Sequence, residues 1–402
     1  MAAFTEQEYL QRNAAVKASM DRKGIDVLII NEAANMNYLT GFANSVYYHP
    51  TFVVVALDEE KPYWIGREYT DMPAARLSSY LPTSHIVSYS EDLANHFLVD
   101  EATRKTKDAM SAVVDFIHEK GWSGKTVGIE KATRLLSHAQ MQSLMDQLTD
   151  CTLVDATTLV EWLRFVKSEA EVQCMREGAK IVDHAMAVSL ANINDSARQC
   201  DVAGVAYHAM VTGTRDIGGC MPEGAGITNG ASIPAIHMPW TDGLFERNAL
   251  TNIELGGSRH FYNAALVRSA VLGKPHDDVM RLSDALLEGI EALLNKARPG
   301  VPLGEATRTF RTPIEKAGFR SRPWMGYSIG IGLPGQGWID APAGLTSDEE
   351  TLFEANSTFH AVPCFWLDSV GGWAMMTSET FLIKKDGPAE ALTQLERKLW
   401  II

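Results

Sequence analysis

The stretch Ile253–Ser269, IELGGSRHFYNAALVRS, has the outline of a metal site that lacks its metal ligands. It holds a carboxylate at Glu254, a glycine two residues on, an aromatic at Tyr262 and a closing Arg268. A dinuclear hydrolase places a second carboxylate eleven residues after the first, and here that position is Ala265. Glu254 falls mid-strand between Ile253 and Leu255 and so faces away from both. A carboxylate set in so apolar a strand acquires a raised pKa and suits the work of a base or nucleophile.

Outward from this stretch the chain divides in two. Residues 1–162 alternate helical and strand patterns. An amphipathic helix over Thr5–Lys23 leads into the apolar strand Asp26–Glu32. Thr51–Asp58 and Lys61–Gly66 read as a hairpin, and His85–Ser90, Thr126–Lys131 and Cys151–Thr157 as further short strands. Helical patterns around 102–120 and 137–149 separate them, which implies a layered α/β domain. In residues 163–402 a helix starts at Ser168, whose spacing to Glu171 makes a capping box, and another runs over His276–Ala297 to Pro299-Gly300. Strands are expected over Leu250–Leu255, Phe261–Leu272, Ser357–Leu367 and Gly372–Lys384, giving an α+β domain. The glycine-rich Gly218–Gly230 lacks the strand-to-helix setting of a phosphate loop and reads as a pocket-lining loop.

At 402 residues, with 46% hydrophobic and 21% charged side chains, the chain is of the globular class with ample material for a core. Fifty acidic against 36 basic residues give a net charge of −14, which argues against nucleic-acid partners. The start MAAFTEQEYL has no apolar signal-peptide core, and no run is long enough to span a membrane, so a cytoplasmic location is expected. The five scattered cysteines form no C-x-x-C pair and are expected to be free thiols.

Three segments carry a resemblance. YLTGF (Tyr38–Phe42), VKSEAEVQCMREGAKI at the junction and the Glu254–Arg268 frame together resemble the creatinase/prolidase/aminopeptidase P family over essentially the whole chain. That resemblance implies a creatinase-type α/β N-terminal domain followed by a pita-bread catalytic domain, and a homodimer. Metal-dependent members bind two ions through two Asp, a His and two Glu. Here these slots fall on Glu254, Ala265, Tyr327 within Gly326–Gly330, Val362 before Pro363, and Ser378, or Glu379 with a one-residue shift. Ala and Val supply no ligand, so no metal and no cofactor is expected.

Within the family, creatine amidinohydrolases keep a glutamate two positions beyond the second Asp slot, where this chain has Val267. The metal-free ectoine hydrolases fit better, through IELGG, GYSIGIGLPG, STFHAVPCFWL, TSETFLI and the His-x-x-Trp of Ile236–Trp240. The implied activity is hydrolytic opening of the cyclic amidine ectoine or 5-hydroxyectoine to an N-acetylated diaminobutyrate, with a downstream deacetylase as a pathway partner. Another small amidino or guanidino substrate, or a non-catalytic binding role, are the alternatives. No metal is needed for such a reaction, because the amidinium carbon is already electrophilic.

The candidate catalytic residues are Glu254, His237 in PAIHMPW, His360, which shares strand parity with Val362, and Tyr327. Glu379 is a candidate to balance the amidinium charge. Trp240, Trp324 and Trp366, drawn from a set that includes Trp338 and Trp373, could cage a planar cation. The resemblance also makes Tyr48 and His49 candidate contacts to the partner subunit's site. Arg268 has opposite parity to Ala265 and is expected to pair behind the pocket.

Overall fold

Short apolar runs become strands in the N-terminal half, buried throughout in the first three and only partly in the others: β1 (Val27–Ile30), β2 (Phe52–Ala56), β3 (Tyr63–Arg67), β4 (Ile86–Tyr89), β5 (Thr126–Ile129) and β6 (Thr152–Asp155). They form one sheet in the order β4-β3-β2-β1-β5-β6. β2 runs antiparallel to both its neighbours, while β1/β5, β3/β4 and β5/β6 are parallel. Helices cover such a sheet, which is why β1 and β2 read as continuous apolar runs rather than alternating ones. Thr5 caps the first helix, Glu6–Arg22. The computed structural model describes residues 2–47, 49–94 and 108–402, with backbone alone at 93, 94 and 375. The helix expected around 102–120 is seen over Ala109–Glu119, its earlier part lying outside the described residues.

Two compact units result, Met1–Leu163 and Arg164–Ile402. In the second, β7 (Ala225–Asn229), β8 (Leu250–Arg259) and β9 (Tyr262–Val271) form an antiparallel sheet on which the helix Glu169–Ala191 packs. The approach is close because two glycines face each other. A Cβ on Gly257 would stand 2.1 Å from the Gly178 carbonyl oxygen. The capping box is present, and Glu171 does double duty: one oxygen accepts from the Ser168 N–H, the other from the Tyr262 hydroxyl at 2.7 Å. Such a cap is worth about 1 kcal/mol. Just before it, Lys167 and Arg164 both bond the buried Asp340, at 2.6 and 2.5 Å.

A second sheet has the order β11-β10-β12-β15-β16, with β10 (Trp324–Ile329), β11 (Ile339–Thr346), β12 (Thr358–Ala361), β15 (Glu379–Leu382) and β16 (Glu390–Ala391). β13 (Cys364–Leu367) and β14 (Gly372–Met375) form a separate hairpin. Helices Asp277–Lys296 and Leu303–Lys316 pack into a cluster with Phe359, Phe365 and Phe381.

Two expectations need correction. The runs Ser357–Leu367 and Gly372–Lys384 are each two strands in different sheets. In the first the break is at Pro363, which has no N–H to continue a ladder. The end of the glycine-rich Gly218–Gly230 is not loop but β7, paired along β8. YLTGF, for which no element was assigned, begins in a helix, Ala33–Thr40, closed by Gly41 at φ +78. Among the described residues no helix is long and apolar enough to cross a membrane.

Candidate active site

Strand parity assembles the site. Glu254 on β8 pairs in register with Val267 on β9, and Gly256 with Ala265, so Glu254 and Val267 share one face of the sheet. On the second sheet Tyr327 and His360 are register partners. Side chains stitch the two sheets together here. Thr380 Oγ1 bonds both the N–H and the carbonyl of Ala265, and Ser378 Oγ accepts the Val267 N–H at 2.7 Å. Val267, Tyr327, Val362 and Cys364 consequently form one apolar cluster, with Ile236, Trp338 and Trp373 packed on it.

Glu254 lies in the wall of a cleft of about 470 Å³, together with Glu223, His237 and Trp338. No hydrogen bond from a described residue reaches its carboxylate. Burial alone raises its pKa from the ordinary value to about 7. A second recess of about 310 Å³, lined by Glu246, Arg247 and His276, holds none of the candidate residues.

Tyr327 is the hub of a buried network. Its hydroxyl accepts from Trp338 Nε1 at 2.7 Å and lies 3.1 Å from His360 Nδ1, while His360 Nε2 lies 2.8 Å from Ser378 Oγ. Burial raises the phenol's pKa, and the neighbouring Glu254 charge raises it further. Burial, seconded by the Arg268 charge, pushes His360 down to about 3, so the imidazole is neutral. With its proton on Nδ1, His360 donates to Tyr327, which then accepts two bonds and keeps its own O–H to donate elsewhere. With the proton on Nε2, Tyr327 donates to His360 instead. Trp338 is held flat against the strand because a Cβ on Gly256 would stand 2.4 Å from its ring.

The structure thus gathers Glu254 and His237 at the cleft, Tyr327 beside them, and His360 behind Tyr327. His360 is fully buried with both ring nitrogens engaged, which makes it a positioning group rather than a direct contact. Trp324 stacks on Tyr327, with centroids 5.2 Å apart, across a register shift in β10. Trp240 is exposed on the loop just beyond the lining residues Ile236–Pro239.

Two expectations fail. Glu379 does not face the cleft. It is the register partner of Ala361, on the face opposite His360, and is buried against Arg268 at 3.7 Å and Arg397 at 3.5 Å. A one-residue shift along a strand reverses its face, so Ser378, not Glu379, occupies the ligand position. Trp366 has its indole N–H on Asp368 and Arg320 over its ring, so the protein's own cation takes the stacking place expected for a ligand's. Separately, His49 is buried within the first unit, and the expectation for Tyr48 lies outside the described residues. Sequence reading missed Glu223, whose carboxylate accepts the Gly335 and Gly337 N–H groups at 3.1 and 2.7 Å and so closes one side of the cleft. It also left Trp338 in the general aromatic set. The glycines flanking Gln336 were the available signal for both.

Two family models match this chain: the creatinase/prolidase N-terminal domain over residues 12–166 and metallopeptidase family M24 over residues 173–385. The chain belongs to metallopeptidase family M24, a family of hydrolases and peptidases with the pita-bread fold. An uncharacterised hydrolase/peptidase of Sinorhizobium fredii is 30% identical over 99% of this chain and 98% of its own. The ectoine hydrolase of Halomonas elongata is 29% identical, again over 99% and 98%. Among solved structures, the dipeptidase PepE from Mycobacterium ulcerans shares the fold with a TM-score of 0.79, at 18% identity over 99% of each chain. The Pyrococcus horikoshii prolidase does so at 0.75, with 20% identity over 97% of this chain and 99% of that one.

The paired metal ions that the family name implies require several oxygen or imidazole donors converging on each ion. The five ligand positions here carry one carboxylate, a methyl, a phenol, an isopropyl group and a hydroxyl. Among the described residues no three His, Cys, Asp or Glu side chains form a group that could hold a metal ion. The donor set does not fit a dinuclear centre.

Proposed function

We propose that this protein is a metal-independent hydrolase that opens a small cyclic amidinium, ectoine or a close relative such as 5-hydroxyectoine, to the N-acetylated diamine. The observation that carries the reading is Glu254, an uncompensated carboxylate on the wall of an open cleft. A carboxylate with a pKa near 7 is half ionised at neutral pH and, once ionised, attracts a cation into the cleft. Glu254 takes a proton from water as the water oxygen bonds to the amidinium carbon. The ring C–N bond then breaks as its nitrogen is protonated, leaving an amide and an ammonium group. Tyr327, in the arrangement that frees its O–H, donates to the developing tetrahedral centre. Similarity to an ectoine hydrolase along the full chain supports the substrate class.

The test is an NMR time course of chelator-treated protein with ectoine, run beside Glu254→Gln. Ring opening by the wild type and none by the variant is the expected result. Turnover that vanishes with chelation and returns with a divalent metal would overturn it.

A further inference from the structure

Residues 320–322 extend the β13–β14 hairpin into a third strand. The Trp366 N–H donates to the Arg320 carbonyl at 3.0 Å, the Arg322 N–H donates to the Cys364 carbonyl at 3.2 Å, and Ser321 bridges Phe365 between them. A two-residue period puts Arg320 and Arg322 on the same face. Trp366 and Trp373, which are register partners, stand under them. The Arg320 guanidinium lies 4.8 Å from the Trp366 ring centre, and that of Arg322 lies 5.2 Å from the Trp373 ring centre.

Both arginines are exposed, and no described carboxylate pairs with either, although the chain carries fourteen net negative charges. A guanidinium stacked on an indole keeps its edge N–H groups free, in the fork that matches a carboxylate.

The arginine pair connects to the cleft through packed side chains. Trp373 packs on the same cluster as Tyr327, Trp338 and the cleft-lining Ile236. The loop leading to His237 crosses this hairpin, since a Cβ on Gly372 would stand 2.6 Å from the Pro234 ring. The charge of Arg322 is felt at Cys364, a member of that cluster, where it opposes the upward effect of burial on the thiol. One wall of the cleft therefore holds an anion with no cation, and the hairpin packed on the cluster behind it carries cations with no anion.

Building on the function proposed above, we infer that Arg322, with Arg320 beside it, binds a carboxylate on the substrate, so that this enzyme selects zwitterionic amidines over purely cationic ones. An amidinium against Glu254 and a carboxylate on the Arg322 fork satisfy both unmet charges in a single ligand. Simple guanidines and amidines lacking an acid group satisfy only the first.

The experiment compares two rings, 2-methyl-tetrahydropyrimidine with and without its 4-carboxylate, on the wild type, Arg322→Gln, Arg322→Lys and Arg320→Gln. For the wild type, kcat/KM strongly favours the carboxylated ring. Losing a charge-assisted forked contact raises KM for that ring by about 10- to 100-fold in Arg322→Gln, with kcat nearly constant, and the preference between the rings collapses. Arg322→Lys, which keeps the charge but not the fork, restores part of the preference and covers the case of an unstable Gln variant. An undiminished preference in all three variants overturns this inference while leaving the hydrolase reading intact. A wild type that opens neither ring overturns that reading as well.

Discussion

Replacing Glu254 by Gln should make the protein more stable at pH 8 and inactive at every pH. No described group donates to the Glu254 carboxylate, and burial alone lifts its pKa from 4.5 to about 7. Holding the ionised form in place therefore costs about 3 kcal/mol. The folded-state pKa lies above the unfolded one, so between about pH 4.5 and pH 7 the native state binds more protons. Wild-type stability falls as pH rises through that window and is level above it. Gln mimics the protonated acid and carries no such penalty.

The stability gap between variant and wild type is then at most about 3 kcal/mol at pH 8 and below about 1 kcal/mol at pH 5. For a unit the size of Arg164–Ile402, each kcal/mol moves Tm by about 2–4 °C. The variant should melt about 6–12 °C above the wild type at pH 8 and close to it at pH 5, measured by calorimetry at constant ionic strength. An amidinium ligand should narrow the pH 8 gap, because it offsets the wild-type charge. A gap that is absent at pH 8, or the same at both pH values, would refute the reasoning by showing that Glu254 already has a partner. The same titration governs turnover: kcat/KM should reach half its maximum near pH 7 as Glu254 ionises and level off above about pH 8.

Three further outcomes are expected. Tyr327→Phe removes the acceptor for Trp338 and the partner of His360 Nδ1, so it should lower kcat by about 100-fold or more and stability by about 1–3 kcal/mol, read from steady-state kinetics and melting. A kcat within threefold of wild type would remove the phenol from the chemistry. Glu223→Ala frees two loop N–H groups at the cleft edge and should raise KM several-fold with little change in kcat; an unchanged KM would show that the loop holds its place without it. Arg268→Ala strips the buried Glu379 of a cation and leaves the Ser378, Leu395 and Glu396 carbonyls without their donor. It should cost about 3–5 kcal/mol, seen as a large drop in Tm or in soluble yield, and a melting point near wild type would contradict that.

Local signals identified most of these elements correctly. The capping box at Ser168 and the apolar runs that become β1, β2, β8 and β9 are short-range features, readable without the partner segments. What could not be read locally is which sheet a strand joins. The Ser357–Leu367 run looks uniform, yet Val362-Pro363 passes it from the second sheet to the hairpin. The site shows the same limit. Glu254 announces itself as a charge in an apolar strand, but Glu379 also read as a candidate to balance a ligand's charge in the cleft. The facing of Glu379 depends on a one-residue register that only pairing with Ala361 reveals. Arg322 carried no signal at all, since its meaning comes from a tryptophan fifty-one residues away.

The electrostatics of the cleft follow from where the positive groups have been put. His360 could neutralise Glu254 if it were charged, but burial holds it near pKa 3 and ties its two nitrogens to Tyr327 and Ser378. Arg268 could do the same, but strand parity turns it to the opposite face, where backbone carbonyls and Glu379 absorb its charge. Ala265 and Val362 contribute neither charge nor ligand. The vacated metal frame therefore keeps one negative group and excludes the cations that would quench it. That arrangement is poor for holding an inorganic ion, which needs several donors at once. On the function proposed above, it suits an organic cation that brings its own electrophilic carbon, and the unsatisfied charge of Glu254 is then the feature on which both binding and turnover depend.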